Sequence, residues 1–162
     1  LCLSSLLRTD RAVFPCYDSC IQRDEDIAKG KRDGSMRKMV IDMQNYLFAD
    51  AVATAFKSSD YDIEVIRAES PRDTAELCQI YEPFVLVMEV TGYTPWRLSE
   101  RLKLRGEVRA LCPSCKIALI VDANTERQTA KDIRDAKKDG LIDQFFYGSM
   151  SAEYLMDQIY AM

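Results

Sequence analysis

Histidine is absent from the 162 residues of this sequence. Its absence removes imidazole general-base catalysis, Ser/His and Cys/His nucleophile pairs, every His-containing metal site and any phosphohistidine role. No apolar run approaches the roughly 20 residues that a membrane-spanning helix needs. Charge of one sign is also lacking: 22 Lys and Arg against 26 Asp and Glu leave a net charge of −4. That excludes the positive field of a non-specific nucleic-acid binder, and partners must be found by shape. The start, "LCLSSLL", is too short for a membrane span and lacks the basic flank of a secretion signal. Six cysteines in a chain of this length do not make a disulfide scaffold, and without a signal they read as reduced thiols in a cytosol. Internal repeats and low-complexity tracts are missing too.

What is present is a soluble-protein composition, 48% hydrophobic and 30% charged, in a length that suits one core. The chain divides near residue 35. Residues 1–35 show no clear period, and "GSM" at 34–36 reads as an upstream junction or an internal start. They are expected to be a leader outside the functional fold. From Met36 the pattern is regular. Strand-like runs are "KMVID" (38–42), "YDIEVIRA" (61–68, with Ile63, Val65 and Ala68 buried), "FVLVMEV" (84–90), "KIALIVD" (116–122) and "QFFYG" (144–148). Between them lie helical patterns: 46–59; 70–81, opening on a Ser cap and a Pro; 94–111, opening on a Thr cap and a Pro; 125–140, ending on Gly140; and 151–162. Five strands alternating with five helices predict a (βα)5 α/β sandwich of the flavodoxin-like type, its parallel sheet ordered 2-1-3-4-5 and covered on both faces.

In such a sheet the working surface lies at the carboxyl ends of the strands. Three of the strand-like runs carry an acid at or next to their last residue there: Asp42, Glu89 and Asp122. Their expected convergence would form an acidic pocket able to take Mg²⁺, Ca²⁺ or Mn²⁺ on hard oxygen ligands, with Asp42 and Glu89 as the metal pair. Without a cation, like charges so close would raise at least one carboxyl pKa. The plainer reading is that acids at strand ends are simply solvated, and that "DANTE" is a polar turn with Asn124 or Thr125 capping the next helix. The CxxC of Cys112 and Cys115 would make a zinc site together with Cys16 and Cys20, but its place in a connection before a strand favours a structural role, as does the apolar helix face holding Cys78. Tyr154, Met156, Tyr160 and Met162 offer apolar contacts at helical spacing, which more often means core than interface.

The alternation, with "PFVLVMEV", "SAEYLMDQI", the "LF" of the first helix and "LCPSCKIALI", resembles the receiver domain of bacterial two-component response regulators, in particular those that precede a LuxR-type DNA-binding domain. The resemblance covers 36–162. It implies that Glu89 stands in the place of the phosphoacceptor aspartate, that the metal-binding acid pair is reduced to Asp42 followed by Met43, and that Asp122 takes the place of a hydroxyl residue. The phosphate-binding Lys falls on Tyr147 or Gly148, and Phe145 matches the switch aromatic. Glu is one methylene longer than Asp, which displaces its oxygens by about 1 Å from an in-line position, a misplacement that can cost on the order of 100-fold. The expectation is a degenerate receiver: not an enzyme, requiring no cofactor (Mg²⁺ the one candidate), and acting in the cytoplasm through a protein partner. That partner would be an output domain beyond Met162 that controls transcription, a second copy of the chain, or a histidine kinase. Neither nucleic acid nor membrane would be touched by this segment. Two rivals stand beside it: a receiver that still accepts a phosphoryl group, and a divalent-metal-dependent phosphate-handling enzyme built on the three acids. A purely structural dimerisation module is a further reading.

Overall fold

Apolar runs too continuous for one-sided burial form the middle of the sheet. Val85 to Met88 have no exposed surface, and Ile117 to Leu119 have none either, as strands covered on both faces require. The computed structural model describes residues 36–162, and the leader expected at 1–35 lies outside the described residues. The elements are β1 (Arg37–Asp42), α1 (Tyr46–Lys57), β2 (Ile63–Arg67), α2 (Thr74–Tyr81), β3 (Val85–Val90), α3 (Leu98–Leu111), β4 (Lys116–Val121), α4 (Arg127–Lys138), β5 (Gln144–Tyr147) and α5 (Ala152–Tyr160). The strands are parallel, in the order β2-β1-β3-β4-β5. The flavodoxin-like α/β sandwich expected from the alternation is the fold observed.

Strand alternation divides the core in two. Met39, Ile41, Val85, Val87, Ala118, Ile120 and Phe146 pack under α1 and α5, against Val52, Phe56, Leu155 and Ile159. Val40, Leu86, Met88, Val90, Leu119 and Val121 pack under α2, α3 and α4, against Cys78, Leu104, Val108 and Ile133. Cys112 and Cys115 are buried in this second cluster. Their structural reading therefore fits their placement, while Cys16 and Cys20 lie outside the described residues. Met156 and Met162 pack on the first cluster, whereas Tyr154 is exposed.

Helix boundaries differ from expectation where turn chemistry intervenes. Ser70 and Pro71 do not open α2. Ser70 Oγ donates to Asp73 Oδ2 (2.8 Å) and its carbonyl accepts from the Asp73 N–H (3.1 Å), a turn that delays the helix to Thr74. Thr94 and Pro95 likewise precede a loop: the Thr91 N–H donates to the Trp96 carbonyl (3.0 Å), and α3 starts at Leu98. The cap of α4 is Glu126 rather than Asn124 or Thr125. Its other end is as the sequence predicts. Gly140 has φ +71, its N–H reaches the Lys137 carbonyl, and the Leu141 N–H reaches that of Ala136. This Schellman closure needs a residue free to be left-handed. In β2, Ile63 is buried, as is Ala68 just beyond the strand, but Val65, on the sheet's edge strand, is only half-buried.

Candidate functional site

Asp42, the last residue of β1, points to the side covered by α2 and α3. Its carboxylate is 2% exposed. A charge so buried needs a partner, and α3 supplies one. The buried stripe of that helix is Arg101, Leu104 and Val108, so a guanidinium is carried into the core on helical spacing. Arg101 is 1% exposed. Its Nη1 donates to Asp42 Oδ2 (2.5 Å), its Nη2 to Asp42 Oδ1 (3.1 Å) and to the Asp42 carbonyl (3.2 Å), and its Nε to the Glu89 carbonyl (2.8 Å). Thr74 Oγ1, from the first turn of α2, donates to Asp42 Oδ2 at 2.8 Å. The planar fork of arginine matches this bidentate geometry, which a lysine could not reproduce. One side chain thus ties α3 to the ends of β1 and β3.

Glu89 is the penultimate residue of β3; Val90 ends the strand. The register sets Asp42 opposite Met88, and alternation therefore sends the Glu89 side chain to the other side of the sheet. There its Oε2 accepts from the Asn45 N–H (2.9 Å), at the cap of α1, while Asn45 Oδ1 accepts from the Phe48 N–H (3.1 Å). The residue whose parity matches Glu89 on β1's extension is Met43, which is 4% exposed and packed with α1. Asp122 lies one residue beyond β4 and is exposed. Its Oδ1 accepts from the Asn124 N–H (2.9 Å). That bond and one with the Thr125 hydroxyl hold its carboxyl below the usual carboxylate range.

The expected convergence of Asp42, Glu89 and Asp122 is therefore corrected. Asp42 and Glu89, the pair expected to hold a metal, face opposite sides of the sheet. The physical reason is parity: a one-residue offset between paired strands reverses the direction of a side chain. Among the described residues, no group of three or more Cys, Asp or Glu side chains is placed to hold a metal ion. The Mg²⁺ implied by the receiver resemblance does not fit here, because both Asp42 oxygens already accept from Arg101 or Thr74. The plain reading of "DANTE" as a polar turn describes Asp122 well, though its own carboxylate makes the turn.

At the end of β5, the Gly148 N–H donates to the Val121 carbonyl (2.9 Å), and a side chain there would meet nothing nearer than that oxygen, 3.9 Å from its Cβ. Tyr147 places its hydroxyl 3.5 Å from Arg134 Nη1. Phe145 is half-buried on the α2–α4 side, edge-on to Tyr147 with ring centroids 5.6 Å apart, whereas Phe146 is buried on the opposite side. Four residues of this region carry no motif and escape a reading of motifs: Arg101, Thr74, Asn45 and Glu126. Glu126 Oε1 accepts from the Gly92 N–H (3.0 Å), linking the β3–α3 loop to the start of α4. The one signal available for Arg101 is a cation on the apolar stripe of "LSERLKLRGEVRAL".

No protein-family model and no curated protein matches the chain. Solved structures do. The N-terminal domain of the nisin resistance regulator NsrR, a lantibiotic response regulator, is 18% identical with a TM-score of 0.62, over 78% of this chain and 97% of that one. A LuxR-family DNA-binding response regulator from Staphylococcus aureus is 17% identical (TM-score 0.58; 77% and 97% covered). A CheY-like receiver domain protein from Methanospirillum hungatei is 12% identical (TM-score 0.61; 78% and 93% covered). The structural neighbours are response regulator receiver domains, and at these identities the likeness establishes the fold.

Proposed function

We propose that residues 36–162 act as a signal-transduction receiver module whose state is not set by phosphorylation. On this reading the module works in the cytoplasm, through protein contacts that control an output domain of a transcription regulator. The observation that carries it is that Glu89 and Asp42, on opposite sides of the sheet, are each already engaged by the chain's own groups. On the receiver resemblance Glu89 takes the acceptor's place, and its carboxylate accepts from the Asn45 N–H. Asp42 is enclosed by Arg101 and Thr74. Neither Tyr147 nor Gly148 supplies an ammonium to balance a phosphate. A carboxylate one methylene longer than aspartate, fixed at a loop amide, imitates the charge of a modified acceptor without turnover. Phe145, half-buried beside Tyr147, is the aromatic through which that state would reach the surface of α4 and β5.

The experiment is incubation with acetyl phosphate, or with beryllofluoride, in the presence of Mg²⁺, followed by intact mass and amide NMR. The reading expects an unchanged mass and unchanged Asn45 and Glu89 resonances. A gain of one phosphoryl group, lost on Glu89→Gln, would establish the rival, an active phosphoacceptor.

A further inference from the structure

The Arg101 guanidinium does more than pair a charge. It sits where a cation serving Asp42 would have to sit, and it reaches both carboxylate oxygens as well as the carbonyls of Asp42 and Glu89. Arg101 and Asp42 are 1% and 2% exposed, so the pair is shielded from water. A divalent ion at Asp42 would need this side chain withdrawn from four hydrogen bonds. It would gain no second carboxylate by doing so, because Glu89 faces the other way and Asp122 is engaged at its own turn. Guanidinium is charged at every accessible pH. Unlike a metal, it neither dissociates nor depends on the concentration of an ion in solution.

We propose that Arg101 is a built-in, non-exchangeable cation that replaces a divalent ion at Asp42 and makes this crevice indifferent to Mg²⁺. The same side chain fixes α3 against β1 and β3, so the helix stays in one position whether or not Mg²⁺ is present. The inference extends the reading above to the cation dependence of the same crevice. It can fail alone, since phosphoryl labelling and Mg²⁺ binding are separate readouts.

The test titrates MgCl₂ into the full chain against NaCl of equal ionic strength. The readouts are the fluorescence of Trp96, the sole tryptophan, whose carbonyl accepts from Thr91 next to the crevice, and thermal melting. Wild type is expected to show no saturable response. Arg101→Met, which leaves the Asp42 carboxylate without its cation, is expected to bind Mg²⁺ ~10-fold or more tightly than wild type. It should lose that response in the Arg101→Met/Asp42→Asn pair. Should Arg101→Met not fold alone, rescue of its folding by Mg²⁺ supports the proposal, and failure of any Mg²⁺ concentration to rescue it counts against it. A saturable Mg²⁺ response in wild type that Asp42→Asn abolishes overturns it. So does a folded Arg101→Met that binds Mg²⁺ no better than wild type.

Discussion

At the scale of single residues, the energetics of Asp42 are those of a buried ion pair. Removing one member leaves the other charge uncompensated, so Arg101→Met is expected to lower stability by about 3–5 kcal/mol. Asp42→Asn/Arg101→Met, which removes both charges, is expected to recover most of that loss, since replacing a buried pair by uncharged groups is often close to neutral. Urea unfolding of wild type, both single variants and the pair closes the cycle. Equal losses in Arg101→Met and the pair would show that the guanidinium acts through packing rather than charge. The sequence pointed to the acids but not to their directions. Asp42, Glu89 and Asp122 are conspicuous as the ends of apolar runs, yet the side each faces depends on the register between β1 and β3, and a shift of one residue reverses it. Arg101 was hidden for a different reason. In a helix with six charged residues out of fourteen, only its place on the apolar stripe distinguishes the arginine that turns inward.

At the scale of elements, helix ends carry the specificity. Gly140 closes α4 in the left-handed region, so Gly140→Ala is expected to cost about 1 kcal/mol, read as a lower melting temperature. Ser151 Oγ accepts from the Tyr154 N–H at the start of α5 (3.3 Å), and Ser151→Ala is expected to cost a similar ~1 kcal/mol. Glu126→Ala releases the Gly92 amide and is expected to speed hydrogen exchange there, while the amides of β3 and β4 stay protected. Fast exchange across the whole sheet would mean that Glu126 supports the fold rather than the loop. Strands and the C-terminus of α4 were legible because burial and the glycine requirement act on neighbouring residues. The starts of α2 and α3 were not. Ser-Pro and Thr-Pro are cap signals and turn signals alike, and here the Ser70–Asp73 and Thr91–Trp96 hydrogen bonds favour the turns.

At the scale of the molecule, alternating strands and helices specified the sandwich, because a parallel sheet covered twice is the arrangement that satisfies continuous apolar strands. Its α2–α4 side encloses Cys78 and Cys115. Hydrogen bonding to Cys78, with burial, pushes the Cys115 thiol well above its ordinary value. The folded chain therefore keeps a proton that the unfolded chain gives up near pH 8.5. Stability from this group is fully present below that pH and is lost as pH rises beyond it. Denaturant midpoints are thus expected to fall above about pH 9 in wild type, and to fall less in Cys115→Ala.

The central claim is that the Asp42 side of the strand ends is closed by the chain's own Arg101. The Arg101 Nε–H, which donates to the Glu89 carbonyl, reports on that closure directly. In a proton–nitrogen NMR spectrum the account predicts a slowly exchanging Arg101 Nε–H signal whose position is the same with and without Mg²⁺ and acetyl phosphate. A signal that exchanges freely with water, or that moves when these ligands are added, would contradict it.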